Sequence, residues 1–311
     1  MIFLPGFVVL KNVGVKPEIS TDPIYLWRVT NSGWEHMNPH LAHRADIAEL
    51  FASQWRNRQL IIQLTKRDVL GRYRGSIMGL AWSFFNPLLM LAVYTFVFSE
   101  VFKARWGVGG EDKINFAIVL FAGLIMYSLF SECINRAPNL ILANPNYVKK
   151  VVFPLEILPA VVTGSALFHA TVSLIVLLIA QLVINQQLPW TVVVFPIVLV
   201  PLLLATVGFA WLLSALGVYI RDIAQATNIL TTVLMFLSPL FYPVSALPKS
   251  YQLWLHLNPL TFIIEESRSV LIFGNIPDFV GIATSLVMSF LISAAGFWWF
   301  QKSRKGFADV L

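Results

Sequence analysis

Residues 191–219 read TVVVFPIVLVPLLLATVGFAWLLSALGVY, a run without one Asp, Glu, Lys, Arg or His. A bilayer core takes about 20 such apolar residues as one helix. A barrel strand would instead alternate apolar and polar residues over about ten positions, and this run does not. It therefore sets the class: an all-α, polytopic membrane protein. Working outward, five further segments have the same character: Ile77–Phe102, Ile114–Ile134, Leu155–Ile184, Ile223–Leu247 and Phe279–Phe300. Together they predict six spans.

Composition agrees. The chain is 57% hydrophobic and 12% charged, against about 25% charged in a soluble domain. Met1–Leu10 is apolar, but it lacks a basic n-region and a small-residue cleavage site, and Pro5 and Gly6 interrupt it. No cleaved signal peptide is read there. Basic residues in loops mark the cytoplasmic side. Seventeen of the 22 Lys and Arg fall before the first span, after spans two and four, or after the last; five fall on the other side. Both termini are thus expected in the cytoplasm.

The soluble segments divide into recognisable pieces. Residues 1–45 hold Pro5, Pro17, Pro23 and Pro39 and no helical period, and read as an extended cytoplasmic extension. Residues 46–75 begin with Asp46 and Glu49 in capping-box spacing. From there Ile47, Leu50, Phe51, Trp55, Ile61, Ile62 and Val69 fall on one helical face, as in a helix lying in the membrane surface. Arg58 falls inside that face, so the helix either breaks near Asn57 or that side chain snorkels. The six-span domain, residues 76–305, contains two loops of interest, and the tail covers 302–311. In the cytoplasmic loop 135–154, Asn144 and Pro145 make a helix start ahead of Tyr147, Val148, Lys149 and Lys150. In the outer loop 248–277, Asn258 and Pro259 start a helix and Gly274 ends it. That helix is too short and too charged to span, and suits a re-entrant element.

Several chemistries find no residues. There is no G-x-x-x-x-G-K-[ST] phosphate loop, no G-x-S-x-G and no H-E-x-x-H. A polytopic transferase would need paired carboxylates or a His–acid site at an interface, and none is read. No Asp, Lys or Arg lies at a predicted membrane centre, which speaks against an ion-coupled carrier. His36, His40 and His43 are interrupted by Pro39 and read as a solvated loop rather than a metal set. Cys133 is the one cysteine and reads as a packing residue. No catalytic residue, metal, bound cofactor or nucleic-acid partner is expected of this chain.

The stretch Leu64–Trp82, reading LTKRDVLGRYRGSIMGLAW, with Asn86-Pro87-Leu88, resembles a signature of type-2 ABC exporter permeases, in the branch that exports O-antigen, capsule or teichoic acid. Three later blocks agree in order: residues 151–159 (VVFPLEILP), Arg221-Asp222 with 238–248 (SPLFYPVSALP), and 258–268 (NPLTFIIEESR). The resemblance covers roughly residues 46–305 and does not reach the first 45.

The resemblance implies a half-transporter in the bacterial inner membrane. Two copies of the chain would form a channel, and two copies of a separate ATPase subunit, holding ATP and Mg, would drive it. Asn144, Pro145, Asn146, Tyr147, Val148, Lys149 and Lys150 would form the coupling helix that docks into that ATPase. The cargo would be a lipid-linked polysaccharide, as in lipopolysaccharide O-antigen export. A drug or small-lipid exporter of the same superfamily is the alternative, since fold does not fix substrate. A sliding sugar chain suits aromatic walls, which combine apolar area with polar edges. Trp82, Phe85, Tyr94, Tyr127, Phe236, Phe241 and Tyr242 are the candidates, although aromatic side chains also belong to ordinary spans and interfaces. Arg67, Arg72 and Arg74 would meet the carrier diphosphate or anionic headgroups of membrane lipids. Glu265, Glu266 and Arg268 either pair within the outer helix or meet the polymer.

Overall fold

A computed structural model describes residues 46–102, 106, 116–149, 153–256 and 258–311, together with four short strands nearer the start. These strands are β1 (Phe3–Leu4), β2 (Phe7–Val8), β3 (Leu26–Thr30) and β4 (Gly33–Met37). They pair as two antiparallel ladders, with Trp27 opposite His36 in the second. The extended character read for the extension thus becomes pairing in part, and the all-α description holds from residue 46 onward. His40, His43 and Lys150 lie outside the described residues.

The expected surface helix is two helices, α1 (Ile47–Arg56) and α2 (Arg58–Arg72), parted at Asn57. The Asn57 amide group donates to the Ser53 carbonyl at 2.9 Å, which ends α1 and turns the chain. At Asp46 the backbone carbonyl, rather than the carboxylate, makes the cap by accepting from Glu49 and Leu50. In α1, Leu50 and Ser53 face protein while Ile47, Phe51 and Trp55 face outward, Trp55 with 71% of its surface exposed. α2 departs from the single-face expectation. Its residues meet successively later positions of a span: Thr65 donates to the Val161 carbonyl and Arg72 reaches His169. It therefore runs alongside that span, burying Leu64 and Val69 and leaving Ile62 exposed.

Among the described residues, five helical segments are long and apolar enough to cross a membrane: Gly79–Phe98, Phe116–Asn139, Leu155–Asn185, Trp190–Tyr219 and Phe279–Val310. They are built around α3 (Trp82–Tyr94), α4 (Phe116–Arg136) with the short α5 (Pro145–Lys149) after it, α6 (Leu158–Asn185), α7 (Phe195–Tyr219) and a long helix near the end of the chain (Phe279–Ser303). The sixth expected segment, Ile223–Leu247, holds the 15-residue α8 (Ile223–Leu237) and a short helical turn at Val244–Ala246. Fifteen residues reach about 22 Å, short of a core about 30 Å thick. The cause is Pro239, which cannot continue the helix; the chain turns at Ser238.

α9 (Lys249–His256) and α10 (Pro259–Arg268) follow, then α11 (Phe279–Ser303) and α12 (Phe307–Val310). The Asn258 side chain caps α10 by accepting from Leu260 N–H at 3.0 Å, and Gly274, at φ +70°, ends the segment as its sequence leads one to expect. Most apolar residues of α10 (Leu260, Ile263, Ile264) are buried against the spans.

The core gathers around α4, whose Ala117–Leu120 turn is completely enclosed. α7 and α11 cross closely because both carry glycine at the contact. A Cβ on Gly296 would stand 2.1 Å from the Gly208 carbonyl oxygen. Small residues of this kind let helices approach where lipid offers no hydrophobic drive.

Candidate functional site

α4 does not run straight into the loop. A short turn at Ala137–Asn139 redirects the chain, the Asn144 side chain donates to the Leu140 carbonyl at 2.9 Å, and α5 starts at Pro145. Proline suits this first position because its missing N–H has no helical partner there. Pro145 and Asn146 are exposed, while Tyr147 and Val148 are half-buried. The Tyr147 ring stacks on Phe153, with centroids 4.2 Å apart and planes at 10°. Its hydroxyl accepts from Arg67 of α2 at 2.9 Å. The short helix therefore presents an open tip on an anchored base.

A cluster of charges joins α2, α4 and α6. Arg72 donates to Glu132 at 2.5 Å, and His169 Nδ1 lies 3.2 Å from both partners. Arg136 forks onto Asp68 at 2.8 and 2.9 Å and reaches Glu132 at 3.4 Å. Burial works to raise the Asp68 pKa, but the bonds from Arg136 and Ser165 and the charges of Arg136 and Arg72 outweigh it and hold it below the ordinary carboxylate value. Of the three expected phosphate-binding cations, Arg67 is engaged with Tyr147 and Arg72 with Glu132, while Arg74 is exposed beyond the end of α2.

Beside this cluster lies an open cavity of about 270 Å³ between α3, α4 and α6. Its polar wall includes Arg72, Asn86, Tyr94, Ser128, His169 and Ser173. Asn86 belongs to the signature block near the chain's first span. Among the aromatic candidates, Tyr94 borders the cavity. Trp82, Phe85 and Phe236 are exposed on the faces of α3 and α8. Phe236 stacks on Phe241 at 6.0 Å, and the Tyr242 hydroxyl donates to the Phe236 carbonyl. Tyr127 is buried, its hydroxyl donating to the Thr231 carbonyl at 2.8 Å, so within the protomer it packs α4 on α8.

In α10, Arg268 turns inward and is 2% exposed. Its guanidinium donates to the carbonyls of Val119, Pro239 and Leu240 and lies 4.4 Å from the Trp106 ring centre. Burial pushes its pKa down to about 9, which leaves it charged at neutral pH. Its hydrogen bonds go to these carbonyls rather than to Glu265 one turn back. Glu266 accepts from the Asp278 backbone N–H at 2.9 Å, and burial raises its pKa.

One cluster has no forerunner in the sequence reading. Glu156 takes hydrogen bonds from Ser53 and Arg304 on its carboxylate and from Trp211 on its carbonyl. These partners come from widely separated stretches, and no local pattern announces them.

Comparison with known proteins places this geometry. The profile of the family described as ABC-2 type transporter matches residues 59–272, and the chain belongs to that family. The O-antigen export system permease protein RfbA of Myxococcus xanthus is 28% identical over 82% of this chain and 96% of its own length. A Klebsiella pneumoniae protein of the same description is 24% identical over 81% and 95%. The polysialic acid transport protein KpsM of Escherichia coli is 23% identical over 70% and 82%.

Proposed function

We propose that this member of the ABC-2 family is the membrane-spanning subunit of an ATP-driven exporter that carries a lipid-linked, O-antigen-like polysaccharide across the bacterial inner membrane. The observation that carries the reading is α5, a five-residue helix with an exposed tip and a base tied to α2 through Tyr147 and Arg67. Such a projection suits insertion into another subunit. The named functions of the relatives, which match this chain over most of their own lengths, support polysaccharide as the cargo.

In this reading two copies of the chain enclose the path and two copies of a separate ATPase, carrying ATP and Mg, dock on the two α5 tips. The excess of basic residues on one side supports cytoplasmic termini. The sixth crossing is α8 continued by the turn-rich residues 238–247. α1 lies in the membrane surface through Ile47, Phe51 and Trp55, and α9–α10 form the re-entrant outer element. The exposed aromatic side chains of α3 and α8, with Tyr94, supply sugar-facing surface once two protomers meet. Arg74 is the cation best placed to meet a carrier diphosphate or a lipid headgroup, because Arg67 and Arg72 already hold other partners.

The test is deletion of the gene in its host. The expected result is polymer on its lipid carrier retained at the cytoplasmic face, restored to the surface by the intact chain. Normal surface polysaccharide in the deletion strain would rule out this cargo and leave the drug or small-lipid alternative.

A further inference from the structure

α5 is held indirectly. The chain leaving it passes Phe153, on which Tyr147 stacks, and three residues later reaches Glu156. Glu156 is 6% exposed and bonds to three distant elements. Its carboxylate accepts from the Ser53 hydroxyl of α1 at 2.8 Å and from Arg304, at the end of α11, at 2.6 Å. Its carbonyl accepts from the Trp211 indole of α7 at 2.8 Å and from Gln54 of α1 at 3.3 Å. The second arm of Arg304 donates to the Phe153 carbonyl at 2.8 Å. One guanidinium thus grips both the residue under Tyr147 and the hub beyond it.

The tail completes the grip. Phe307 is fully enclosed, with Tyr147, Val148 and Phe153 packed on the same cluster, and the Tyr219 hydroxyl donates to the Ser303 carbonyl at 2.7 Å. The backbone leaving α5 leads through Phe153 to Glu156, whose bonds reach α1, α7 and the end of α11. A buried ion pair gains little stability over apolar packing of similar volume, yet it fixes geometry strongly when every polar atom is satisfied. A node bonded to several elements can carry displacement between them.

We propose that the Glu156–Arg304 pair is the joint through which movement of α5 is delivered to the spans, with the C-terminal tail as its brace. Glu156 and Arg304 are then positioning residues for energy coupling. The inference rests on the export reading above and adds the route inside the permease.

The experiment uses the full permease–ATPase complex, with ATP hydrolysis measured on the purified complex and surface polysaccharide measured in cells. Wild-type export in the same cells tests the cargo reading independently of the joint. For Arg304→Gln and Glu156→Gln, the expected result is assembled complex, ATP hydrolysis near the wild-type rate, and about tenfold less polymer exported per ATP. Arg304→Lys should recover part of that loss, because an ammonium keeps the charge but lacks the planar fork that serves two acceptors. If a single variant fails to assemble, the double variant E156Q/R304Q, which leaves no lone buried charge, replaces it, with the same loss expected. Assembled variants that export as much polymer per ATP as wild type overturn the proposal. So does Arg304→Lys behaving no better than Arg304→Gln.

Discussion

Arg67 and Tyr147 meet at 2.9 Å, guanidinium to phenol, and this bond links α2 to the short helix proposed to dock the ATPase. Residues 80 positions apart in the chain are thereby joined. The ring of Tyr147 does separate work from its hydroxyl, since it also stacks on Phe153.

Substitution of Tyr147 should separate those two contributions. Tyr147→Phe keeps the stack and loses one partly exposed hydrogen bond, a cost of about 1 kcal/mol; export should stay near normal. Tyr147→Ala removes the stack as well, and export should fall severalfold while the complex still hydrolyses ATP. Equal export by the two variants would show that the stack is irrelevant to coupling.

Arg72 and Arg74 stand two residues apart but should behave differently. Arg72→Gln removes the contacts to Glu132 and His169, at a cost of about 1–3 kcal/mol. Arg74→Gln should leave stability within about 0.5 kcal/mol of wild type, as for other surface positions. Yet it should lower export if Arg74 meets the carrier phosphate. Thermal unfolding in detergent gives the first comparison and surface polysaccharide the second. A destabilised Arg74→Gln with normal export would reverse both assignments.

Gly296→Ala places a methyl 2.1 Å from the Gly208 carbonyl oxygen, a backbone atom that cannot step aside. The expected loss is about 1–3 kcal/mol, typical of overpacking. Gly71→Ala meets nothing within 4 Å, so in α2 it should stabilise by about 0.5–1 kcal/mol. Tryptophan fluorescence during heating reads both, and the account requires opposite shifts.

The Asp68–Arg136 fork fixes the sign of an acid effect. The folded pKa of Asp68 lies below its ordinary 3.8. Its contribution is therefore complete above 3.8 and is lost as pH falls through the depressed value. Between about pH 6 and about pH 3 the wild-type unfolding midpoint should drop further than that of Asp68→Asn, which has no such charge to lose. Parallel curves would mean that the fork adds no stability.

How much was readable follows from how local each signal is. Asn258-Pro259 announces the start of α10, and Gly274 the end of the helical turn Ser269–Phe273 that continues it, because capping is decided within four residues. The five long spans were plain in the hydropathy. Within Ile223–Leu247 the helix is shorter than the apolar run, because apolar content does not register Pro239, whose ring stops it after Leu237. The split at Asn57 was among the readings offered, but the course of α2 along α6 was not, since it depends on Thr65 and Arg72 finding partners 96 and 97 residues away. The partners of Arg72, Glu132 and His169, lie 60 and 97 residues away and are equally hidden from the sequence. Glu156 and Arg304 lie 148 residues apart, and only the fold brings them together.

The claim beneath all of this is that the chain carries the passage and borrows the engine. Purified permease in vesicles, supplied with lipid-linked polysaccharide and ATP, should translocate no polymer until the ATPase subunit is added. It should then do so only with the α5 tip intact. Sustained ATP-dependent translocation by the permease alone would contradict the account.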